Sequence, residues 1–273
     1  MTGNASGLRT ARVVARRELA PGVVRLDLSL PGLEEARPGQ FLHVLTRDPY
    51  GVDPLLRRPF SIADLGPQPD RAALVVKVVG KGSAWLAARP EQSQLDVLGP
   101  LGRGFGWDLS GGRALLVGGG VGAAPLLWLA RALCRDGWSV QAVLGFRTAS
   151  EVVLAQEMAH VGALVTVATE DGSRGEPGTA VEVARRYWDR ADGVFACGPW
   201  GMLRALAALA TQRPRPLQLS VETVMGCGAG VCLSCVVPWR RREGYRVTGW
   251  ARACVEGPVF DASELDWERC PGR

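Results

Sequence analysis

The pattern that most constrains this fold begins at Arg113, where buried-strand and amphipathic-helix patterns start to alternate. The first unit is the strand pattern RALLV, a glycine turn, and then apolar residues recurring at helical spacing in AAPLLWLARALC. Four more strand patterns follow, each preceded by a helical pattern: WSVQAVLGFR, ALVTVATEDG, GVFACGP and LQLSVET. This alternation predicts an α/β domain with a parallel sheet and helices on both faces.

The first hundred residues have a different pattern. Five short, β-branched and partly alternating segments are separated by turns that contain Pro and Gly, such as LPG and RPGQ. One short segment, 83–89, has a helical pattern, and QLDVLGPLGRGF supplies a last strand. Regularly spaced strands without long helices predict an all-β part, a small antiparallel barrel.

These patterns divide the chain into three predicted parts. Its 273 residues are enough for two domains and a small third one. We place the barrel at 1–101, the α/β domain at 102–216 and a last segment at 217–273. The last segment lacks the strand–helix alternation and holds few apolar residues, so it needs a bound ligand to stabilise it.

Four cysteines in the last segment have the spacing of an iron–sulfur ligand set. Cys227, Cys232 and Cys235 follow C-x4-C-x2-C, and Cys254 comes after 18 intervening residues. This is the plant-type spacing for a [2Fe-2S] cluster. The cluster needs a loop whose thiolates converge and whose backbone N–H groups face the sulfurs, and glycines permit the required backbone angles. We therefore predict these four cysteines as cluster ligands.

Zinc and disulfide bonds are the alternatives for these thiols. Zinc sites favour paired C-x2-C units, and this sequence has one such unit. Disulfides are rare in the cytoplasm, which is the location we expect because MTGNASGLRTARVV lacks the apolar core of a signal peptide. The longest uncharged stretch, 114–130, is shorter than a membrane span and contains Gly and Pro, so no membrane association is expected.

Two barrel segments are candidates for binding a flavin. Arg58–Ser61 reads R-P-F-S on a predicted strand, where the Arg would hold a phosphate and the Ser hydroxyl would bond the reactive edge of the ring. The alternative is a strand with a buried Phe and an exposed Arg. Gly82 and Ser83 open the predicted short helix, whose free N–H groups suit a pyrophosphate. An ordinary capped helix would have the same pattern.

The α/β domain offers candidates for binding a nucleotide. A glycine turn between the first strand and helix suits a dinucleotide phosphate, although its spacing is not the strict G-x-G-x-x-G; its members are Gly118, Gly119, Gly120 and Gly122. Cys197–Pro199 ends the fourth strand, at the edge where open α/β sheets bind ligands. Glu170 and Asp171 end another strand there and could bind ribose. Tight turns and caps are the alternatives for all three segments.

Other features restrict the function further. The two histidines, His43 and His160, lie outside any nucleophile or metal motif, and we expect structural or surface roles for them. Hydride transfer between a flavin and a nicotinamide needs no protein acid or base, because the cofactors carry the chemistry. The net charge of +5 is spread along the chain, with one local run at Arg240–Arg242, so nucleic-acid binding is not expected.

The ordered motifs resemble those of a known family across nearly the whole chain. A barrel with R-P-F-S followed by a glycine-turn domain with C-G-P is a ferredoxin–NADP reductase-like arrangement. With C-G-x-G-x-C-x-x-C and CVEGPVF at the C-terminal end, the chain resembles the electron-transfer subunit of bacterial NAD-dependent dihydroorotate dehydrogenase. Two departures are Lys77, where Arg is expected more often, and the long gap before Cys254, which we expect to form a hairpin.

The resemblance implies the cofactors and the residues that hold them. FAD would be held by Arg58, Pro59, Phe60, Ser61, Val75, Val76, Lys77, Gly82 and Ser83, and the [2Fe-2S] cluster by Cys227, Cys232, Cys235 and Cys254. NAD⁺ is implied as the acceptor over NADP⁺; Arg147 could meet a 2′-phosphate or simply lie at the surface. The remaining nucleotide candidates are Gly118, Gly119, Gly120, Gly122, Cys197, Gly198 and Pro199.

The resemblance also implies a partner. A separate FMN-containing catalytic subunit would oxidise dihydroorotate in pyrimidine (UMP) biosynthesis, in a 2+2 heterotetramer. Electrons would then pass through the [2Fe-2S] cluster and FAD to NAD⁺. The alternatives are a related NAD(P)H-dependent reductase subunit for ferredoxin, sulfide or another acceptor, and a non-catalytic module stabilised by zinc. An oxygenase reductase is disfavoured because 47 residues from Cys227 onward are too few for a plant-type ferredoxin domain.

Overall fold

The computed structural model of the protein describes residues 7–66, 70–108, 110–243 and 245–270. The predicted all-β part is a closed antiparallel barrel, with strand order β1-β2-β5-β4-β3-β6. Its six strands are β1 (Gly7–Ala20), β2 (Val23–Ser29), β3 (Phe41–Val44), β4 (Arg58–Leu65), β5 (Arg71–Lys77) and β6 (Gln94–Leu101). A short helix, α1 (Lys81–Ala87), connects β5 to β6. Alternate positions such as Leu26, Leu28 and Leu74 are fully buried inside the barrel.

The predicted parallel sheet is also present. Its strands are β7 (Arg113–Gly119), β8 (Ser139–Phe146), β9 (Leu164–Thr169), β10 (Glu176–Pro177), β11 (Gly193–Cys197) and β12 (Leu217–Ser220). Neighbours are parallel in the order β10-β9-β8-β7-β11-β12. The helices between them are α2 (Ala123–Arg135), α3 (Ala155–His160), α4 (Ala180–Ala184) and α5 (Trp200–Gln212). The fold class expected from the alternation is therefore confirmed.

The last part of the chain is attached to this sheet. The expected hairpin is formed by β13 (Val236–Glu243) and β14 (Tyr245–Arg252), paired from Val236 opposite Arg252 to Glu243 opposite Tyr245. After it, β15 (Val259–Asp261) runs antiparallel to β12 at the edge of the large sheet. The predicted segment 217–273 thus lends two strands, β12 and β15, to the α/β sheet. Residues 271–273 lie outside the described ranges, as do 1–6.

Helix α2 joins the two larger parts. Trp128 on α2 is buried in the apolar core of the barrel. Three residues further on, Arg131 donates to both carboxylate oxygens of the buried Asp64 on β4, at 2.9 and 2.7 Å. An apolar anchor and a two-bond ion pair therefore fix the barrel against the α/β domain, and this fixes the space between them.

Two predicted helices are shorter in the structure. The pattern at 151–162 predicts one helix, but Leu154 has a φ of 63°, and α3 begins after it. The pattern at 179–188 predicts a longer helix than α4, which Thr179 caps by accepting a hydrogen bond from the Glu182 N–H. The long apolar stretch divides into β7, a 3-10 turn and α2. Within the described ranges, no helix has both the length and the apolar character needed to cross a bilayer.

Candidate cofactor-binding site

A cavity of about 990 Å³ lies where the barrel faces the carboxyl ends of the parallel strands. On the barrel side it is lined by Pro59–Ser61 of β4 and by Val75 and Lys77 of β5. On the sheet side it is lined by residues that follow β7, β8, β11 and β12. Open parallel sheets bind ligands at this edge, so the cavity lies where the sequence places the nucleotide candidates.

The predicted flavin residues divide between the cavity wall and its support. Pro59, Phe60, Ser61, Val75 and Lys77 line the cavity. The side chain of Val76 points into the barrel core, as the alternation of a strand requires, so only its backbone could face a ligand. The Arg58 guanidinium donates to the carbonyl oxygens of Leu56 and Arg57.

The start of α1 forms a narrow cradle with Thr46, a residue that the sequence analysis missed. A Cβ on Gly82 would lie 2.7 Å from Thr46 Oγ1 and 3.1 Å from Arg58 Cγ, so these three residues approach as closely as glycine allows. Thr46 is fully buried, and its hydroxyl has no hydrogen-bond partner within the part of the chain that the structure describes. The Ser83 hydroxyl accepts from the N–H groups of Val79 and Gly80, which is the capping role that the sequence left open.

These features fit a bound flavin dinucleotide. Cofactor cavities measure about 300–1,000 Å³ and combine apolar walls with a few polar groups, and this cavity is of that size. A buried hydroxyl without a partner is costly. Thr46 Oγ1 lies beside the backbone of Gly82, at the helix start where the sequence analysis expects a pyrophosphate.

The glycines after β7 have two different roles. Gly119 and Gly120 line the cavity, and Gly120 has a φ of +56° with open space where a Cβ would stand. Gly118 and Gly122 are absent from the cavity wall. A Cβ on Gly122 would lie 2.2 Å from the Cys197 carbonyl oxygen, so this glycine permits the turn to pack directly against the end of β11. The glycine turn therefore both packs against β11 and forms part of the cavity wall.

Cys197, Gly198 and Pro199 line the cavity at the end of β11. The Cys197 thiol is buried, and burial raises its pKa well above the ordinary value, with Glu222 adding to the rise and a hydrogen bond with Ser220 opposing it. The group is therefore a neutral thiol at physiological pH. It offers a small, uncharged surface to a ligand bound in the cavity.

Glu222 is a second residue that the sequence analysis missed. It follows β12, lines the cavity and faces its open space, while Trp200 Nε1 donates to its backbone oxygen at 2.9 Å. Partial burial by the protein around it raises the pKa of its carboxyl, and the nearby positive charge of Lys77 lowers it. Its signal in the sequence is the acidic residue that ends the last parallel strand, at the same edge as Cys197.

The four predicted cluster ligands form two pairs of thiols. Cys235 and Cys254 are buried, with their sulfurs 3.3 Å apart. Cys227 Sγ accepts from the N–H groups of Ala229, Val231 and Cys232 at 3.3–3.5 Å. No three metal-ligating side chains among the described residues gather at one point. In a cluster with two irons and four thiolates, each iron takes two of them, and a paired arrangement fits that requirement.

The surroundings of the thiols support ligation. A hydrogen bond from the Ser234 side chain lowers the pKa of the exposed Cys232 thiol to about 6. Burial raises the pKa of Cys227, but the backbone N–H groups on its sulfur outweigh this and lower it overall. Burial and the neighbouring Cys235 raise the pKa of Cys254 to about 12. Metals bind the thiolate form, so the loop supplies two easily ionised ligands beside two buried ones.

Two glycines let the cysteine loop pack closely, Gly228 against the barrel and Gly230 against the segment after β14. Gly228 has a φ of +69°, and a Cβ there would lie 2.5 Å from Nδ1 of His43 on β3. Gly230 has a φ of +78°, and a Cβ there would lie 2.7 Å from Val255 Cγ2. Both positions require glycine for backbone angle and for space. The loop therefore lies directly against the barrel strand next to β4.

Comparison with families of known proteins identifies the last segment. Residues 222–266 match the family described as the iron–sulfur cluster binding domain of dihydroorotate dehydrogenase B. This range contains all four predicted ligand cysteines, and β12 ends just before it.

Comparison with curated proteins covers nearly the whole chain. It is 40% identical over 262 residues to the protein of Bacillus caldolyticus named dihydroorotate dehydrogenase B (NAD⁺), electron transfer subunit, covering 95% of this chain and 98% of that one. It is 37% identical over 257 residues to the protein of the same name from Streptococcus mutans, covering 93% and 96%.

Comparison with solved structures extends the likeness to three dimensions. A chain of an NADH-dependent reduced ferredoxin–NADP oxidoreductase, described in work on flavin-based electron bifurcation, is 31% identical, with a TM-score of 0.82 and coverage of 99% of this chain and 93% of that one. The ferredoxin reductase of a carbazole 1,9a-dioxygenase is 23% identical, with a TM-score of 0.67 and coverage of 78% and 68%. The second likeness supports the fold alone.

Proposed function

Because the chain belongs to the family of electron transfer subunits of dihydroorotate dehydrogenase B (NAD⁺), we propose that it carries electrons from a catalytic partner subunit to NAD⁺. One observation carries this proposal. The strand that lines the cavity, β4, pairs with β3, and β3 in turn touches the cysteine loop, with His43 opposite Pro59 on one side and against Gly228 on the other. The cysteine loop, the β4 residues that line the cavity and the carboxyl ends of the parallel strands are thus neighbours in space.

We propose the following binding residues. FAD is held by Arg58–Ser61, Val75–Lys77, Gly82 and Ser83, and we add Thr46 because it lies against Gly82. The [2Fe-2S] cluster is held by Cys227, Cys232, Cys235 and Cys254. The nicotinamide nucleotide is held by the glycine turn and by Cys197–Pro199, with Glu222 beside them. When bound, the cluster supplies one-electron transfer and the flavin interchanges single electrons with hydride.

The chain's own task is to position the cofactors and to exclude water from the cavity. The wall of Pro59, Phe60 and Val75 covers one side of the cavity with apolar groups, while the glycine turn lets a ligand approach the backbone. The neutral Cys197 thiol packs at the opposite wall without adding charge. Holding two reacting groups near contact distance converts their reaction to an intramolecular one. A protein acid or base is not required for this transfer, because the cofactors carry the chemistry.

The surface around the cysteine loop supports a docked partner. Large apolar side chains are exposed there, and we name them the apolar rim: Leu56, Val224, Val231, Leu233 and Val255. A Cβ on Gly226 would lie 3.9 Å from Leu56, so the barrel residue and the loop residues form one surface. Exposed apolar patches next to polar groups mark interaction sites. We propose that an FMN-containing, dihydroorotate-oxidising subunit docks here, in a 2+2 assembly in the cytoplasm.

Co-expression with a dihydroorotate-oxidising subunit tests the proposal. We expect a complex with flavin absorption bands, two irons per chain of this protein, and reduction of NAD⁺ by dihydroorotate. The protein alone should oxidise NADH with an artificial dye but not use dihydroorotate. A purified protein without flavin bands, or a complex that is inactive with dihydroorotate although both cofactors are present, would contradict the proposal.

A second candidate is a related reductase for another electron carrier. It is favoured by the 31% identity and TM-score of 0.82 to a chain of a reduced ferredoxin–NADP oxidoreductase. The same preparation distinguishes the two candidates: reduced ferredoxin would then reduce the nicotinamide nucleotide, while dihydroorotate and the partner subunit would not.

A further inference from the structure

His43 lies at the contact between the barrel and the cysteine loop. It belongs to β3, is fully buried, and is opposite Pro59 of β4. In a strand, residues two positions apart share a face, and Phe41 on the same face lines the cavity, with its ring 6.4 Å from the His43 ring. Leu42 and Val44 point the other way, into the barrel core. His43 is therefore directed out of the barrel, toward the loop that carries Cys227.

The loop is shaped around the imidazole. Gly228 approaches so closely that a Cβ there would lie 2.5 Å from Nδ1 and 3.2 Å from both Cγ and Cε1 of His43. Gly228 directly follows Cys227, whose sulfur accepts three backbone N–H groups. Any displacement of Gly228 therefore changes the hydrogen bonds on the Cys227 sulfur.

Within the described part of the chain, the two ring nitrogens of His43 make no hydrogen bond that would explain a buried histidine at this position. Neither Nδ1 nor Nε2 has a hydrogen-bond partner of good geometry among the residues described. Burial lowers the pKa of His43 to about 4, with the backbone of Cys227 and Arg57 opposing the shift and the charge of Arg57 adding to it. In either protonation state the imidazole carries at least one N–H that it can donate.

An apolar side chain of similar size would fill this space at lower cost, since a buried polar group without a partner is destabilising. The nearby guanidinium does not explain the histidine, because Arg57 donates to the Asp96 carboxylate at 2.7 Å and to the Asp96 backbone at 2.9 Å. Two backbone groups remain near the ring, at Arg57 on the barrel side and at Cys227 in the cysteine loop.

We propose that His43 is a positioning residue that holds the Cys227–Gly228 backbone against the barrel and thereby raises the reduction potential of the [2Fe-2S] cluster. The inference rests on the proposed function only in requiring a cluster at the four cysteines. The potential of such a cluster depends on hydrogen bonds to its sulfurs and on solvent exposure. A loop held in place keeps three N–H groups on the Cys227 sulfur, which stabilises the more negative, reduced state.

The test compares three substitutions in the full complex. His43→Leu keeps the volume but has no donor, His43→Asn places an amide nitrogen near the Nδ1 position, and His43→Gln places it near Nε2. We expect His43→Leu to lower the cluster potential, with about a tenfold change in the reduction equilibrium, or about 59 mV for one electron. His43→Asn should restore most of it, because Nδ1 is the nitrogen that faces Gly228. His43→Gln should not.

The readout is a redox titration followed by electron paramagnetic resonance of the reduced cluster, with iron and flavin contents measured on each sample. The matched control is His160→Leu, at the exposed end of α3 and outside the cavity wall. A wild-type potential in His43→Leu overturns the proposal. If that variant loses its cluster, the Asn and Gln variants decide, and equal potentials in both overturn it. Because the titration needs no turnover, failure of the dihydroorotate reaction would be distinguishable from failure of this inference.

Discussion

At the scale of single residues, the ion pair between Arg147 and Glu151 governs the charge at one end of the cavity. Arg147 follows β8, and its guanidinium donates through two nitrogens to the Glu151 carboxylate. Hydrogen bonding to Glu151 and its charge raise the pKa of Arg147, with a smaller contribution from Glu170 at the end of β9. Arg147, the cation that the sequence analysis considered for a 2′-phosphate, is thus paired with Glu151, which favours NAD⁺ over NADP⁺.

Glu151→Gln should therefore weaken the preference for NADH. We expect the ratio of kcat/KM for NADPH over NADH to rise about tenfold, which corresponds to about 1.4 kcal/mol. The measurement is NADH and NADPH oxidation with an artificial dye. Glu176→Gln is the matched control, because Glu176 also pairs with an arginine, Arg186, but does not line the cavity. An unchanged ratio would mean that Arg147 does not meet the coenzyme.

Cys232→Ser tests the cluster separately from the cavity. Changes around metal ligands already cost about 10- to 100-fold, so we expect loss of this ligand to reduce dihydroorotate-dependent NAD⁺ reduction by at least about 100-fold, with most of the iron gone. NADH oxidation with a dye should persist, because the cavity is untouched. Cys134→Ser on α2 is the control and should keep its iron. A variant that retains both irons would argue against Cys232 as a ligand.

The residue scale also shows what the sequence could not supply. The cysteine spacing predicted the cluster loop without a structure, because three of the four predicted ligands lie within nine residues at a recognisable spacing. Thr46 could not be identified, because its role comes from Gly82, a residue 36 positions away. His43 is similar: it was expected to be structural, and only the approach of Gly228 from another part of the chain connects it to the cluster loop.

At the scale of elements, helix α2 fixes the barrel to the α/β domain. Its Arg131 forms two hydrogen bonds with Asp64, which is buried, while Arg131 itself is about half exposed, with 49% of its side-chain surface accessible. Removing the arginine leaves a buried carboxylate without its partner. Such a loss costs more than the loss of an exposed pair, because the carboxylate was already removed from water.

Arg131→Ala should lower the thermal midpoint of the cofactor-loaded protein. Allowing for the half-exposed arginine, we expect a loss of about 2 kcal/mol, or a decrease of about 4–8 °C in Tm. Differential scanning calorimetry with circular dichroism is the measurement. Arg186→Ala, which breaks an exposed pair with Glu176, should change Tm by less than about 2 °C. Equal decreases in the two variants would show that the Arg131–Asp64 pair is no stronger than an exposed surface pair.

Element types were predictable from local pattern, whereas element ends and partners were not. The strand and helix patterns of the α/β domain predicted five parallel strands and their connecting helices, all of which are present. The helix expected over 151–162 is interrupted because Leu154 adopts a positive φ, which a right-handed helix does not allow. The pairing of β15 with β12 joins residues about forty positions apart, and no local pattern encodes it.

At the scale of the whole molecule, the cavity and the cysteine loop are neighbours on the outer face of β3, where Phe41 lines the cavity and His43 contacts Gly228. The cavity wall continues through Thr223 and Met225 to the start of the cysteine loop, while the apolar rim is exposed to solvent. None of the five apolar-rim residues itself lines the cavity. This separation makes partner binding and NADH oxidation independently testable.

Val231→Glu tests that separation directly. Val231 lies in the cysteine loop with 81% of its surface exposed, so a charge there is tolerated by the free protein but is desolvated beneath a partner. Central interface substitutions cost about 2–4 kcal/mol, so we expect affinity for the catalytic subunit to fall by about 30-fold or more. Size-exclusion chromatography and titration of dihydroorotate-dependent activity with added partner are the measurements.

Leu164→Glu is the matched control for this substitution, since Leu164 on β9 is similarly exposed, at 72%, but lies outside the apolar rim. Both variants should keep wild-type iron content and dye-linked NADH oxidation, because neither position lines the cavity. Val231→Glu should recover activity at high partner concentration, which a damaged cluster would not allow. Unchanged affinity in Val231→Glu, or an equal loss in both variants, would place the partner on another surface.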